Sequence, residues 1–227
     1  MPFTLSRHAC VAALSGLCAL SSLSTADAAD MNLLTPQETA DGWQLLFDGS
    51  TLNGWQASDA PGSFSVKEGA IVVKGPRSHL YYMGSVQDHN FSNFELKLDV
   101  LTFPKANSGV YFHTQWQAVG WPDKGYEVQV NNSHSDTSRS GGLWGVRDFT
   151  PVLAPDGQWF TLAIRVQGKH VVTTIDGQPV VDYTEETNPP RAKGLEQRLL
   201  ASGTFALQGH DPGSEVHFRN IKVRRLP

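Results

Sequence analysis

The chain has 227 residues, 40% of them hydrophobic, with 18 Lys and Arg against 22 Asp and Glu for a net charge of −4. That length suits one domain, and so mild an acidic balance argues against nucleic acid or an anionic membrane surface as the partner. The first thirty residues read as an export signal. Arg7 and His8 precede an uncharged apolar run over 9–23, and Ala26-Asp27-Ala28 has the small-x-small pattern of a cleavage site. The expectation is a cleaved signal over 1–29 and a single domain over 30–227, soluble in the periplasm or secreted. No later stretch approaches the ~20 apolar residues of a membrane span. Both cysteines, Cys10 and Cys18, fall in the signal, and Leu17 is the wrong residue before a lipoprotein cysteine.

Beyond the signal, Thr35-Pro36-Gln37-Glu38 predicts one short helical turn with Thr35 as N-cap and Glu38 closing a capping box. Helical periodicity then almost disappears. Alternating segments over 63–73, 94–101, 108–115, 126–131, 160–166, 170–175, 179–183, 204–210 and 215–223 are short, rich in β-branched or aromatic residues, and bounded by Gly, Pro, Asn or Asp. Asp176-Gly177 is a hairpin turn, and Gly168-Lys169 turns the chain just before it. Residues 160–183 therefore read as a three-stranded antiparallel meander. Many short strands with little helix indicate an all-β protein, a two-sheet antiparallel sandwich. Two long loops, 131–154 and 185–202, interrupt the pattern, and the second is expected to hold a short helix around Lys193, Glu196 and Arg198.

Strand alternation sorts residues by face. Val110 and Phe112 point one way, Tyr111 and His113 the other. Tyr126, Val128 and Val130 oppose Glu127, Gln129 and Asn131, and Phe205 and Leu207 oppose Gln208 and His210. A merely solvated face would carry Lys, Glu and Thr. This set instead resembles the wall of a polar cleft, with Glu127 its one carboxylate. Trp116, Trp121 and Trp144 flank these strands and suit the apolar faces of sugars, although core packing is the usual fate of such rings. His134 and Asp136 are candidate ligands of a divalent metal ion, in a loop that reads first as solvated. No phosphate loop, HExxH pair or nucleophile elbow is present.

Several blocks resemble the 3-keto-disaccharide hydrolase family. They are Leu46-Phe47-Asp48-Gly49-Ser50-Thr51-Leu52-Asn53-Gly54-Trp55, Asn107-Ser108-Gly109-Val110-Tyr111-Phe112, Gly125-Tyr126-Glu127-Val128-Gln129-Val130, Leu207-Gln208-Gly209-His210 and Val216-His217-Phe218-Arg219-Asn220-Ile221-Lys222-Val223. They come in the family order and cover nearly all of 41–226. The chain departs from the family at His113, where Arg is frequent, and at Asn131-Asn132, where an acid often follows.

The resemblance implies a concanavalin A-like jelly roll with a concave sugar-binding face, acting on an oxidised (3-keto) saccharide. A ketone at C3 acidifies C2, so the site needs a base, donors for the enolate oxygen and an acid for the leaving group. Glu127 is the expected base, and His210 and His113 are candidates for the acid or oxyanion partner, either of which could instead hold a metal. Tyr111, Gln129, Gln208, Asn107, Trp144 and Arg219 are the expected substrate-binding residues. Asp99 is the one strand carboxylate that could pair with Glu127 in a conventional glycosidase. The competing class is a carbohydrate-binding module that catalyses nothing.

Overall fold

The computed structural model describes Met1 and residues 31–227, so the expected signal lies outside the described residues apart from Met1. Among the described residues the first element is helix α1 (Pro36–Ala40), where the Thr35 side chain accepts from the Glu38 amide and Glu38 bonds back to the Thr35 amide. Strands follow in the order β1 (Gln44–Leu45), β2 (Trp55–Ala57), β3 (Phe64–Lys67), β4 (Ala70–Lys74), β5 (Ser78–Tyr82), β6 (Phe94–Thr102) and β7 (Ser108–Thr114). Next come β8 (Tyr126–Val130), β9 (Trp159–Gln167), β10 (His170–Ile175), β11 (Gln178–Thr184), β12 (Thr204–Gly209) and β13 (Glu215–Arg225).

They form two antiparallel sheets. The larger runs β11-β10-β9-β6-β13-β4-β3, with β1 added against β13, and the smaller runs β2-β5-β12-β7-β8. The expected meander is β9-β10-β11, and Asp176-Gly177 turns it with φ of +49° and +77°. Residues 63–73, expected as one strand, are the β3–β4 hairpin, whose Glu68-Gly69 turn has the same geometry, φ +50° and +76°. A glutamate at a left-handed turn position carries no Asn-Gly or Asp-Gly signature, so the break is invisible in composition. β5 is not among the expected strands either. All five of its residues are buried, so it lacks the alternation of a half-exposed strand. The loop at 185–202 contains turns and no helix.

The core lies between the sheets. From the large sheet Phe94, Leu96, Leu98 and Val100 face Phe160, Leu162 and Ile164 as neighbours, and from the small sheet Leu80, Val110, Phe112, Val128, Phe205 and Leu207 close over them. Each such side chain contributes about 1.5–3 kcal/mol by leaving water. In β13 the inward residues are Val216 and Phe218, then Ile221 and Val223. The change of parity falls at Asn220, φ +53°, whose bulge is held by reciprocal bonds with Asn32: the Asn220 amide donates to Asn32 Oδ1 (2.9 Å) and the Asn32 amide to Asn220 Oδ1 (2.6 Å). With the inner faces filled, the outer, concave face of the small sheet is free to build a site.

Candidate active site

Cross-strand register assembles the concave face. Tyr81, Ala206, Tyr111 and Glu127 lie in one row across β5, β12, β7 and β8. In the next row His79 pairs with Gln208, and Gly109 with Gln129. The small residues Ala206 and Gly109 leave a depression between large ones. Gly109 is required there: a Cβ at this position would meet Glu127 Oε1 at 2.6 Å. The carboxylate can lie flat over β7 only because that residue has no side chain.

Glu127 is 6% exposed. Tyr111 Oη donates to its Oε2 (2.6 Å), and Gln208 Nε2 donates to its Oε1 (2.7 Å) and to Tyr111 Oη (3.0 Å). The Arg198 guanidinium stands 3.7 Å from Oε2 and 5.1 Å above the Tyr111 ring. Burial pushes the Glu127 carboxyl above the usual carboxylate range, against the opposing pull of the Tyr111 hydrogen bond, the Arg198 charge and the Gln208 hydrogen bond. The Tyr111 hydroxyl is raised as well, by its own burial and then by the neighbouring Glu127 charge. It therefore acts as a donor to the carboxylate.

Arg198 arrives from the loop at 185–202. That loop is tied down where the Leu200 amide donates to Glu185 Oε2 (2.8 Å) and Arg191 Nε donates to the Arg198 carbonyl (2.7 Å). The other long loop folds back along the free edge of β8. There the Gln129 amide donates to the Gly142 carbonyl (2.9 Å) and the Trp144 amide to the Glu127 carbonyl (3.0 Å), which sets Trp144 at the rim. Gln129 Nε2 donates to Asn107 Oδ1 (2.8 Å), while Gln129 Oε1 and Gln208 Oε1 are buried without a protein partner.

These groups surround a pocket of about 320 Å³, which Trp121, Pro122, Asp123, Asp136, Leu195 and His210 also line. That volume falls at the small end of the range of ligand pockets. The ring of His210 is oriented by Asp211, with Nδ1 2.8 Å from Oδ2. Asp211 is fixed in turn by the Ser214 hydroxyl (2.8 Å) and the Gly213 amide (2.8 Å). Burial raises the Asp211 carboxyl, but the bonds from His210, Ser214 and Gly213 outweigh it and hold it below its ordinary range. Behind the pocket His79 packs edge-on to Tyr111 and Trp121, and burial pulls its pKa down to about 3, so it stays neutral.

Nine of the sequence candidates thus meet in one pocket: Glu127, Tyr111, Gln129, Gln208, Asn107, Trp121, Trp144, His210 and Asp136. His113, Arg219, His134 and Trp116 do not line it. His113 has φ +56°, and this left-handed kink turns its ring away from Tyr111 into the packing beside Phe94 and Phe112. Its Nε2 lies 2.9 Å from the Ser92 carbonyl, its Nδ1 accepts from the Ala201 amide (3.1 Å), and burial lowers its pKa to about 4. It ties two loops together and faces no substrate.

Arg219 lies on the large sheet, stacked 4.1 Å over the Trp159 ring and 3.6 Å from Asp99, on the far side of the core. Asp99 is there too, bonded by Thr161 (3.0 Å) and Asn220 (2.7 Å), so it is no partner for Glu127. His134 Nδ1 accepts from the Asp136 amide (3.0 Å), an interaction within the loop, and its ring lies 5.7 Å from that of His210. Among the described residues no three His, Cys, Asp or Glu side chains gather as a metal-binding group. The pocket also contains residues that alternation does not single out: Arg198, Asp123 and Leu195 come from loops, whose landing points strand periodicity does not encode.

Residues 42–224 match the family described as the 3-keto-alpha-glucoside-1,2-lyase-like domain. A 3-keto-disaccharide hydrolase of Bacteroides thetaiotaomicron is 27% identical, over 88% of this chain and 83% of its own. Among solved structures, a protein from Parabacteroides distasonis described as a glycosyl hydrolase superposes with a TM-score of 0.75 at 22% identity, over 87% of this chain and all of that one. A carbohydrate-binding module of Bacillus subtilis superposes with a TM-score of 0.55 at 12% identity, over 75% of this chain and 95% of its own. At those identities the two structures speak to the fold, a jelly-roll sandwich.

Proposed function

The chain belongs to the 3-keto-alpha-glucoside-1,2-lyase-like family, and from that premise we propose that it cleaves the glycosidic bond of 3-keto-glycosides through the pocket on its concave face. The observation that carries this reading is Glu127, a buried carboxylate whose two oxygens are presented by Tyr111 and Gln208 at the pocket floor. A base with a pKa raised by burial is suited to proton transfer near neutral pH.

A ketone at C3 makes the C2 hydrogen acidic. Glu127 takes that proton, and the electron pair of the C2–H bond delocalises onto the C3 oxygen as an enolate. Arg198, 3.7 Å from the carboxylate, supplies the positive charge nearest the reacting centre, in surroundings where a charge acts strongly. As the enolate collapses, the C1=C2 double bond forms and the C1–O bond breaks. His210, held by Asp211, delivers a proton to the departing oxygen. Water then adds across the double bond, at C1, and the sum is hydrolysis. Gln129, Asn107 and Gln208 bond sugar hydroxyls, and Trp121 and Trp144 pack against the apolar ring faces. Export of the protein to the periplasm or the medium remains part of this proposal.

A second reading rests on Asp123 and Asp136, which line the same pocket as Glu127. Two acids across a glycosidic bond are the equipment of a conventional glycosidase acting on unoxidised sugar. One assay separates the two. The purified protein is incubated with a 3-keto-disaccharide and with the same disaccharide unoxidised, and monosaccharide release is followed. The proposal expects release from the oxidised sugar alone. Release from the unoxidised sugar alone overturns it in favour of the carboxylate pair, and release from neither favours a binding module.

A further inference from the structure

The loop between β7 and β8 carries two half-exposed tryptophans, and each lines a different pocket. Trp121, 41% exposed, belongs to the pocket of Glu127. Trp116, 40% exposed, forms part of a second pocket of about 340 Å³, which shares no residue with the first. Water-facing indole rings are uncommon unless something covers them. The second pocket sits at the other end of β7 and β12, where Thr114 and Thr204 are cross-strand partners.

Its lining suits a neutral, hydroxyl-rich ligand. Thr114 is fully buried, lines this pocket, and its hydroxyl has no hydrogen-bond partner. Around it stand Gln115, Asn90, Ser202 and His89, each able to donate or accept, with Trp116 as the apolar wall. No lysine or arginine lines the pocket, so nothing there would hold a phosphate or carboxylate. Asp88, its one acid, has no counterpart of the hydrogen-bonded burial of Glu127. Asp88 and His89 of this lining follow Gln87, and the three successive side-chain-bearing residues have φ of +51°, +50° and +46°. Such a run is strained.

We infer that this pocket is a second saccharide site, distinct from the catalytic one, which binds a neutral, unoxidised sugar unit by stacking it on Trp116 and bonding a hydroxyl to Thr114. It would hold the protein on a saccharide whose oxidised unit the first pocket processes, or on a neighbouring chain, by the general gain of two linked sites. The inference needs only the geometry of the second pocket and is independent of the chemistry in the first.

The test uses maltose and cellobiose as probes, with binding followed by calorimetry and by saturation-transfer NMR. The Trp121→Ala protein, crippled in the first pocket, is expected still to bind one of them. In that background Trp116→Ala should weaken binding by about tenfold or more, and Trp116→Phe should restore most of it. Thr114→Val should also weaken binding while leaving the thermal midpoint unchanged or higher, because it removes a buried hydroxyl that has no partner. A structural hydroxyl would instead lower the midpoint. Failure of the Trp121→Ala protein to bind either sugar, or binding left undiminished by Trp116→Ala in that background, overturns the inference. In otherwise native protein, Trp116→Ala should leave the release of monosaccharide from a 3-keto-disaccharide unchanged, and a matching loss of cleavage would merge the pockets and overturn a separate site. If the protein cleaves no sugar, the binding arms still decide.

Discussion

The outward faces of the two sheets are both polar, and they use polarity in opposite ways. On the large sheet Glu95, Lys97, Asp99, Arg219 and Arg224 are partly exposed and pair among themselves. Arg224 Nη2 donates to Glu95 Oε2 (2.6 Å), Lys97 lies 3.3 Å from Glu95, and Arg219 lies 3.6 Å from Asp99. Burial there alternates strictly along β6. On the small sheet every residue of β5, β7, β8 and β12 is buried, on both faces. Its strands β5, β7, β8 and β12 carry no lysine or arginine, Tyr111 and Gln208 converge on one carboxylate, and oxygens such as Gln129 Oε1 are left without protein partners. Long charged side chains that neutralise each other make a solvated surface. Compact polar side chains, buried and incompletely paired, make a site, because an unpaired buried polar atom costs about 1–3 kcal/mol unless a ligand meets it.

The sharpest way to break this contrast is to change one carboxylate on each face. Glu127→Gln keeps the shape and one of the two accepted bonds, from Tyr111 or from Gln208, while removing the base. Cleavage of a 3-keto-disaccharide should fall by between about 10²- and 10⁴-fold with the thermal midpoint little changed. Retained activity would move the base elsewhere in the pocket. Arg198→Met is expected to have a smaller effect, about a hundredfold on kcat, read together with a pH profile. The Arg198 charge pulls the Glu127 pKa down, so its loss lets the pKa rise. The acid limb of kcat/KM, which reports deprotonation of the base, should move to higher pH. An unmoved limb would mean that Arg198 and Glu127 are not coupled. Glu95→Gln on the opposite face should cost no more than about 1 kcal/mol by chemical denaturation and leave cleavage untouched.

The same contrast explains what could be read from the chain. The concave face was legible because Tyr111, Glu127 and Gln129 each stand between core residues at a spacing of two, and Gln208 directly follows the core residue Leu207. His113 and Arg219, both misplaced by that reading, sit at or beside breaks in the spacing. His113 is itself the left-handed residue at the end of β7, and Arg219 precedes the Asn220 bulge on a strand of the other sheet. Alternation gives a side chain's face within a strand. It does not say to which sheet the strand belongs. Arg198 and Trp144 reach the site through loop contacts between residues far apart in sequence, such as Leu200 to Glu185, which no local pattern encodes. β5 stayed hidden because a strand buried on both sides has no polar rhythm, although it supplies His79 and Tyr81 to the face that matters.

The central claim is that cleavage begins with removal of the C2 proton by Glu127. Placing deuterium at C2 of the oxidised sugar unit and comparing cleavage rates with the protiated substrate tests it directly. A primary isotope effect in the wild-type protein, with C2–H exchange into solvent abolished by Glu127→Gln, is the predicted result. Equal rates for the two substrates, together with C2 deuterium retained in the released sugar, would contradict it.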